Sequence, residues 1–275
     1  MAAISDSQTG ARDPRAAIAE LPMWYHSIEV APGVVTPGMF DLRPIVEKMP
    51  WPEVRGLRVL DVGTSDGFLA FELERRGAAE VVAVDIPSHE QWDFELDNRD
   101  HGPEFLRHVS GPTTSLGFRL AHELLGSSVR LQHISVYGLS PETVGEFDVV
   151  VCGTLLLHLR DPFAALEAIR SVCRGHFLCT NQVELGLSVF FPRRPIARLD
   201  GTSRLIQWWL PNAAGHRQML RAAGFELVRD SGLYAVRFGP AHVPPGRSAL
   251  RSLAHRLLTG ADGVPHYAIL TRPTR

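Results

Sequence analysis

The chain has 275 residues, 45% hydrophobic and 21% charged, so it is long enough to bury a full core and too apolar for global disorder. Its formal net charge of -2 argues against a surface built wholly for nucleic acid. The N-terminus lacks a basic region followed by an apolar stretch, and no apolar run approaches the roughly 20 residues that span a bilayer. We therefore expect no signal peptide, no membrane contact and a cytoplasmic protein.

The first 56 residues predict two segments ahead of the main domain. Residues 1–20 are rich in Ala, Ser, Asp and Arg, which indicates a flexible tail with a short helix near residues 16–20. Residues 21–56 are aromatic and interrupted by Gly and Pro, so we expect this lid segment to pack over the domain. Within it, Asp41 is a suitable N-cap for a helix that ends at Lys48.

From Leu57 onward, short apolar runs alternate with segments of helical period, which is typical of βα units that build a parallel sheet. We predict one α/β domain over residues 57–275, interrupted by a polar insertion at residues 88–117 and by a second insertion at residues 239–263. The predicted strands are 58–62, 80–85, 129–134, 148–152, 176–180, 225–229 and 267–271, and the predicted helices are 68–76, 116–125, 162–173 and 213–223.

The second insertion carries a basic amphipathic helix near residues 248–258. One interpretation is a solvated surface helix, and the other is a contact for substrate, for phosphate or for a second subunit. Its basic side chains are Arg247, Arg251, His255 and Arg256.

Three cysteines, Cys152, Cys173 and Cys179, form no CxxC pair, and no His lies at metal-ligand spacing from them. Since two of them lie within predicted buried strands, we expect small reduced core residues and no bound metal.

A glycine-rich turn follows the first predicted strand, where the helix N-terminus offers free N–H groups to a ligand. Gly63 and Gly67 frame the turn, but Ser65 stands where a dinucleotide fingerprint has its middle glycine. Asp66 would also repel a diphosphate. The turn therefore favours a cofactor other than NAD.

Acidic residues near this turn favour a cofactor with a cationic end. Asp61 and Asp66 would attract a sulfonium or ammonium group, directly or through water. Asp85 ends the second strand, where a carboxylate can accept both ribose hydroxyls. The alternative is that Asp61 caps a helix and Asp85 is a turn residue.

Residues 59–68 (VLDVGTSDGF) resemble the first motif of class I methyltransferases, residues 81–85 their second, and residues 147–150 with 155–159 their fourth strand and its exit. The resemblance implies a Rossmann-like seven-stranded sheet with an antiparallel last strand, helices on both faces, and S-adenosylmethionine at the carboxyl ends of strands one, two and four. The cofactor-binding residues it implies are Asp61, Gly63, Thr64, Ser65, Asp66, Gly67, Asp85, Ile86, Ser135, Gly153 and Thr154.

Residues 24–27, 208–212 and 219–225 are similar to one branch, the tRNA wobble-uridine methyl- and carboxymethyltransferases, whose known members use a carboxylated cofactor. Those enzymes hold the extra carboxylate with Lys, Tyr and Arg. The matching places here carry Tyr25 or His26, then Leu157, then His266 or Tyr267. Because a carboxylate buried beside Leu157 would lack cationic partners, we expect ordinary S-adenosylmethionine.

Methyl transfer is an in-line displacement, so the enzyme supplies positioning and, for a hydroxyl acceptor, a base. His158 leaves strand four on the segment that should face the methyl group, and His26 is a second candidate base in the lid segment. Either histidine is also explained by packing. Candidate substrate contacts, each also explained as loop or core, are Tyr25, Asn181, Glu184, Trp208 and Trp209.

Three functions follow from these observations. We expect first a methyltransferase that acts on a small molecule, at a hydroxyl of a sugar or secondary metabolite. The second hypothesis is a tRNA wobble-uridine-modifying enzyme. The third is a non-catalytic adenosyl-ligand binder or an NAD-binding protein, against which Asp66 argues.

Overall fold

The lid segment forms short strands and turns ahead of the central sheet. The computed structural model describes residues 12–200, 206–242 and 249–274. Asp13 caps the first helix, its Oδ1 accepting from the Arg15 N–H at 3.1 Å, which confirms the short helix predicted in the tail. The first elements are α1 (Pro14–Ala19), β1 (Trp24–His26), β2 (Glu29–Ala31), β3 (Val34–Val35), β4 (Gly38–Asp41) and a 3₁₀ turn at Val46–Lys48.

The central βα units follow the predicted alternation. They are β5 (Arg58–Val62), α2 (Phe68–Arg75), β6 (Glu80–Asp85), α3 (Gly102–Ser110), α4 (Leu116–Leu125), β7 (Arg130–His133), α5 (Pro141–Val144), β8 (Phe147–Gly153), α6 (Pro162–Val172) and β9 (Cys173–Gln182). The remaining elements are α7 (Leu185–Phe190), β10 (Ala197–Leu199), β11 (Trp209–Pro211), α8 (Ala213–Ala222), β12 (Phe225–Phe238), α9 (Ala249–Thr259) and β13 (Val264–Pro273).

All seven predicted strands lie in one sheet, in the order β1-β4-β12-β13-β9-β8-β5-β6-β7. Strands β9, β8, β5, β6 and β7 pair in parallel, and β13 runs antiparallel to both β9 and β12. This is the predicted Rossmann-like methyltransferase arrangement. The sheet has nine strands rather than seven because the lid segment adds β4 against β12 and β1 against β4.

Both faces of the sheet are buried, so the central strands carry apolar side chains on both sides. On β5, Val59 belongs to the core on the side of α2, whereas Leu60 and Val62 belong to the core on the side of α6. Strand alternation places Asp61 on the same side as Val59, facing α2. The three cysteines are buried and free, as predicted.

The predicted helix from Asp41 to Lys48 is wrong. Asp41 is instead the last residue of β4, where it lies opposite Arg237, and its Oδ2 accepts from the Arg43 guanidinium at 2.8 Å. Pro44 has no N–H and disfavours helical backbone at the residue before it. Only the 3₁₀ turn at Val46–Lys48 forms.

The two insertions contain helices. The insertion at residues 88–117 holds α3, and the predicted basic helix corresponds to α9, while Arg247 lies outside the described residues. Within the part of the chain that the structure describes, no helix has the length and apolar character needed to span a membrane. The cytoplasmic location stays a prediction.

The pairing of β1 with β4 depends on a glycine. A Cβ at Gly38 would lie 2.1 Å from the His26 carbonyl carbon and 2.2 Å from the Ser27 nitrogen, and neither backbone atom can move aside. We expect Gly38→Ala to lower the free energy of unfolding by about 2–4 kcal/mol in denaturant titrations. The control is Gly186→Ala, whose Cβ would meet only the flexible Glu184 side chain at 3.4 Å. Equal stability of the Gly38 variant and the parent would contradict this pairing.

Candidate functional site

The glycine-rich turn takes the conformation expected of a fingerprint despite its missing glycine. Gly63 and Gly67 have φ values of 74° and 90°, and Ser65 also lies in the left-handed region at φ 52°. A non-glycine residue there costs on the order of 1–3 kcal/mol. The Ser65 N–H donates to Asp85 Oδ2 at 2.7 Å, and this hydrogen bond helps to hold the turn in place.

Asp85 joins the turn to the end of β6. Besides the bond from Ser65, its Oδ1 accepts from the Ile86 N–H at 2.8 Å. Burial raises the pKa of Asp85, and the two backbone N–H groups oppose that rise. Each carboxylate oxygen keeps a second lone pair. Asp85 therefore positions the turn, and its role as acceptor for the ribose hydroxyls stays a prediction.

Asp61 is buried beneath the turn, and neither carboxylate oxygen makes a hydrogen bond of normal geometry. Burial, with a smaller contribution from the charge of Asp85, raises the pKa of Asp61 to about 7, although the Thr64 hydroxyl and the Ala70 N–H oppose that rise. A buried carboxylate whose donors are only weakly aligned is costly, so the site favours a ligand that brings a positive charge or hydrogen-bond donors. The ammonium or sulfonium group of the predicted cofactor would supply such a positive charge.

Asp66 is used in part for a contact that the sequence did not predict. Its Oδ2 accepts from the backbone N–H groups of Tyr25 at 2.5 Å and His26 at 2.9 Å, so it ties β1 to the turn. Burial raises the pKa of Asp66 to about 6. A Cβ at Gly117 would lie 2.6 Å from Asp66 Oδ1, which shows how closely α4 approaches. Attraction of the cofactor's cationic group by Asp66 stays a prediction.

The end of β8 is strained and hydrogen-bonded across the sheet. Thr154 has φ 55°, and its hydroxyl donates to His266 Nε2 at 3.2 Å, since His266 Nδ1 donates to the Val264 carbonyl. The hydroxyls of Thr180 and Tyr234 share a hydrogen bond of 2.5 Å. Sequence reasoning assigned Thr154 to the cofactor but missed its partner and the Thr180 pair. Polar residues within buried strands were the available signal.

His158 ends a 3₁₀ turn at Leu156–His158, directly after β8. Its Nδ1 lies 2.7 Å from the Ile206 carbonyl oxygen. Because a carbonyl only accepts, Nδ1 carries the proton and Nε2 is the basic nitrogen. Burial lowers the pKa of His158, and the bond to Ile206 opposes that change. His158 therefore presents an unprotonated Nε2 at neutral pH.

His26 has a different environment. Its ring lies 4.8 Å from the Tyr25 ring and 5.8 Å from the Phe68 ring, between centroids, and its Nδ1 is buried without a hydrogen-bond partner. Burial lowers the pKa of His26 to about 3, so the ring is neutral at physiological pH. These contacts fit packing of the lid segment, and a role for His26 as base stays a prediction.

The insertion after β6 forms a wall beside His158. The Trp92 ring meets the His158 ring edge-on at 5.6 Å. Asp93 Oδ2 accepts from the Tyr137 hydroxyl at 2.6 Å and from the Arg160 N–H at 2.8 Å, so it joins three loops. The sequence did not indicate a role for these residues, because the insertion has the composition of a polar loop.

Two adjacent tryptophans close the same wall. Trp208 Nε1 donates to the Asp93 carbonyl at 2.7 Å, and the Arg160 guanidinium lies 4.8 Å from the centre of the Trp208 ring. Trp209 Nε1 donates to the Arg160 carbonyl at 3.2 Å. The indole N–H groups thus hold the exit of β8 in place. Stacking of either ring on substrate stays a prediction.

The remaining predicted residues lie at the same carboxyl edge of the sheet. Asn181 is buried near the end of β9, and neither atom of its amide has a hydrogen-bond partner. Glu184 precedes α7, and its N–H donates to the Pro211 carbonyl at 2.8 Å. Ser135 follows β7 and is half-buried. No group of three or more His, Cys, Asp or Glu side chains within residues 12–200, 206–242 and 249–274 is arranged to hold a metal ion.

Comparisons with known proteins agree with this geometry. The sequence model of a family described as a methyltransferase domain matches residues 40–236. A ubiquinone biosynthesis O-methyltransferase of Psychrobacter cryohalolentis is 33% identical over 113 residues, which are 41% of this chain and 35% of that protein. A tRNA U34 carboxymethyltransferase of Campylobacter hominis is 25% identical over 173 residues, which are 60% of this chain and 52% of that protein. The chain thus spans about a third to a half of these relatives.

Solved structures share the fold. The N-terminal domain of EvdMO1, crystallised in the presence of S-adenosylhomocysteine and D-fucose, is 18% identical with a TM-score of 0.50. The superposition covers 94% of this chain and 95% of that domain.

If Asp85 accepts from the ribose hydroxyls, its removal should lower the affinity of the protein for the cofactor. We expect Asp85→Ala to weaken binding of S-adenosylhomocysteine by about 1–3 kcal/mol in calorimetric titrations, because a charged acceptor is lost. The exposed Asp97 provides a matched control, Asp97→Ala, which should bind as the parent does. Unchanged affinity in the Asp85 variant, with its fold verified by circular dichroism, would remove Asp85 from the cofactor site.

We expect Asp61 to lower the stability of the cofactor-free protein and to strengthen cofactor binding. Because burial raises its folded pKa to about 7, its ionisation destabilises the cofactor-free protein increasingly as pH rises from the unfolded pKa toward that value. We expect Asp61→Asn to be more stable than the parent by about 1–3 kcal/mol at about pH 8, with a smaller gain at about pH 5, and to bind S-adenosylmethionine more weakly. A stability difference that is independent of pH would contradict this expectation.

Proposed function

This chain belongs to the methyltransferase domain family as a class I S-adenosylmethionine-dependent enzyme, and on that premise we propose that it methylates a hydroxyl group of a small molecule, such as a sugar or secondary metabolite. The observation that carries the proposal is the hydrogen bond from His158 Nδ1 to the Ile206 carbonyl, which leaves Nε2 as a base at the exit of β8.

The residues around the turn fit the cofactor. Asp85 and the N–H groups of the turn would hold its ribose and amino-acid portions, and Asp61 would receive its cationic end. When bound, S-adenosylmethionine supplies a methyl group activated by positive charge on sulfur. No residue of the chain then needs to become covalently attached to the acceptor.

The contribution of His158 is proton removal from the acceptor hydroxyl. Nε2 would accept that proton, and the Ile206 carbonyl would stabilise the resulting imidazolium through Nδ1–H. Trp92, which lies against the His158 ring, restricts its rotation. The protein thus supplies orientation and a base.

The relatives support oxygen as the accepting atom. The Psychrobacter relative is named as an O-methyltransferase of ubiquinone biosynthesis, and its match covers 41% of this chain. The cavity that Trp92 lines has a volume of about 330 Å³, which suits a small acceptor, and the Trp92 ring also contacts the His158 ring.

A tRNA substrate is the second candidate, favoured by the match to the Campylobacter tRNA U34 carboxymethyltransferase over 60% of this chain. Leu157 is buried where that branch places a tyrosine, and this argues for the uncarboxylated cofactor. Binding of bulk tRNA that weakens steeply with added salt would favour this second candidate.

Transfer of a labelled methyl group tests the proposal. The protein is mixed with labelled S-adenosylmethionine and a host metabolite extract, with tRNA in a parallel reaction. We expect label in the small-molecule fraction, strongly reduced for His158→Ala and unchanged for His108→Ala, since His108 is exposed on α3. Label in tRNA alone would select the second candidate.

The pH dependence of turnover tests the base. Burial lowers the pKa of His158, so its neutral form persists below the ordinary histidine range. We expect the acid limb of kcat to lie below about pH 6.5 in the parent and to be absent in His158→Ala, whose cofactor affinity should be nearly that of the parent. The same acid limb in both proteins would exclude His158 as the base.

A further inference from the structure

The cavity beside His158 has a wall made of aromatic and charged side chains. Trp92, Phe94 and Asp93 line it together with two arginines, Arg99 and Arg160. The Trp92 ring also contacts the His158 ring, with centroids 5.6 Å apart. The cavity therefore lies one side chain away from the proposed base.

Both arginines are exposed and, unlike the nearby Arg107, lack an ion pair to any described residue. Neither Arg99 nor Arg160 has a carboxylate partner within the described residues. The Arg160 guanidinium lies 4.8 Å from the centre of the Trp208 ring, which orients it while leaving its donors available. A cavity that presents unpaired guanidinium groups favours an anion.

The acidic residues of the cavity are already engaged. Asp93 Oδ2 accepts from the Tyr137 hydroxyl at 2.6 Å and from a backbone N–H at 2.8 Å. Glu90 pairs with Arg107. Glu90 therefore has a cationic partner and Asp93 is hydrogen-bonded, whereas neither arginine has an ion-pair partner among the described residues.

We propose that this cavity holds the acceptor substrate, and that Arg160 and Arg99 bind an anionic group of it, a carboxylate or a phosphate, while Trp92 contacts its apolar body. The inference rests on the proposed function and names a substrate class for it. An acceptor anchored by its anion would present a hydroxyl to His158 Nε2, so the arginines determine which molecules are methylated.

Binding of small probes tests the anion site without requiring turnover. Protein saturated with S-adenosylhomocysteine is titrated with benzoate, phenyl phosphate and neutral benzamide, and tryptophan fluorescence is followed. We expect one or both anions to bind at least roughly tenfold more tightly than benzamide, and the preferred anion identifies the group. Arg160→Gln should weaken anion binding roughly tenfold, and the double variant with Arg99→Gln should abolish the preference.

The control is Arg174→Gln, because Arg174 pairs with Asp148 near the start of β8, away from the cavity. Benzamide binding as tightly as both anions, no saturable anion binding, or anion affinity unchanged in the double variant would each overturn the inference. Label transfer to small molecules without an anion preference would refute the anion site and leave the proposed function standing. An anion preference with label entering tRNA alone would refute the proposed function instead.

Discussion

Three carboxylates at the carboxyl edge of the sheet, Asp61 buried and Asp66 and Asp85 half-buried, determine how the rest of the site is built. Removing such a charge from water costs several kcal/mol unless donors replace the lost solvent. Asp85 receives two N–H groups from the turn and its own chain, and Asp66 receives two from β1. Asp61 makes no hydrogen bond to the described residues within normal limits of distance and angle, so we expect a bound ligand to compensate its charge.

These contacts couple the lid segment to the cofactor turn. Asp66 fixes β1, β1 pairs with β4, and β4 pairs with β12, so the edge of the sheet and the turn are connected through consecutive hydrogen-bonded elements. Because the turn holds the lid segment against the sheet, β1 and β4 of that segment add two strands to the seven that were expected. The same connection would transmit ordering of the turn on cofactor binding to the aromatic residues of β1.

Much of the fold followed from local sequence pattern, because buried parallel strands read as apolar runs and the turn has a strong signature. The sequence shows Ser65 where a dinucleotide fingerprint has glycine. In the structure, Ser65 nevertheless takes the left-handed backbone conformation that glycine adopts most easily. The helix expected after Asp41 does not form, for two reasons. Asp41 pairs with β12 as part of a strand, and Pro44 disfavours helical backbone at the residue before it. The wall beside His158 could not be predicted, since Asp93 meets Arg160 across 67 positions and Trp208 across 115. Such long-range contacts have no period in the sequence.

We expect the Asp61 carboxylate to receive the positive charge of the cofactor. Calorimetry of S-adenosylmethionine binding at about pH 6.5, in buffers with different ionisation enthalpies, measures the protons exchanged on binding. Since burial raises the pKa of Asp61 to about 7, it is partly protonated before binding, and a cationic partner should favour its ionised form. We expect net proton release in the parent and a smaller release in Asp61→Asn. Proton uptake, or the same release in both proteins, would contradict this role of Asp61.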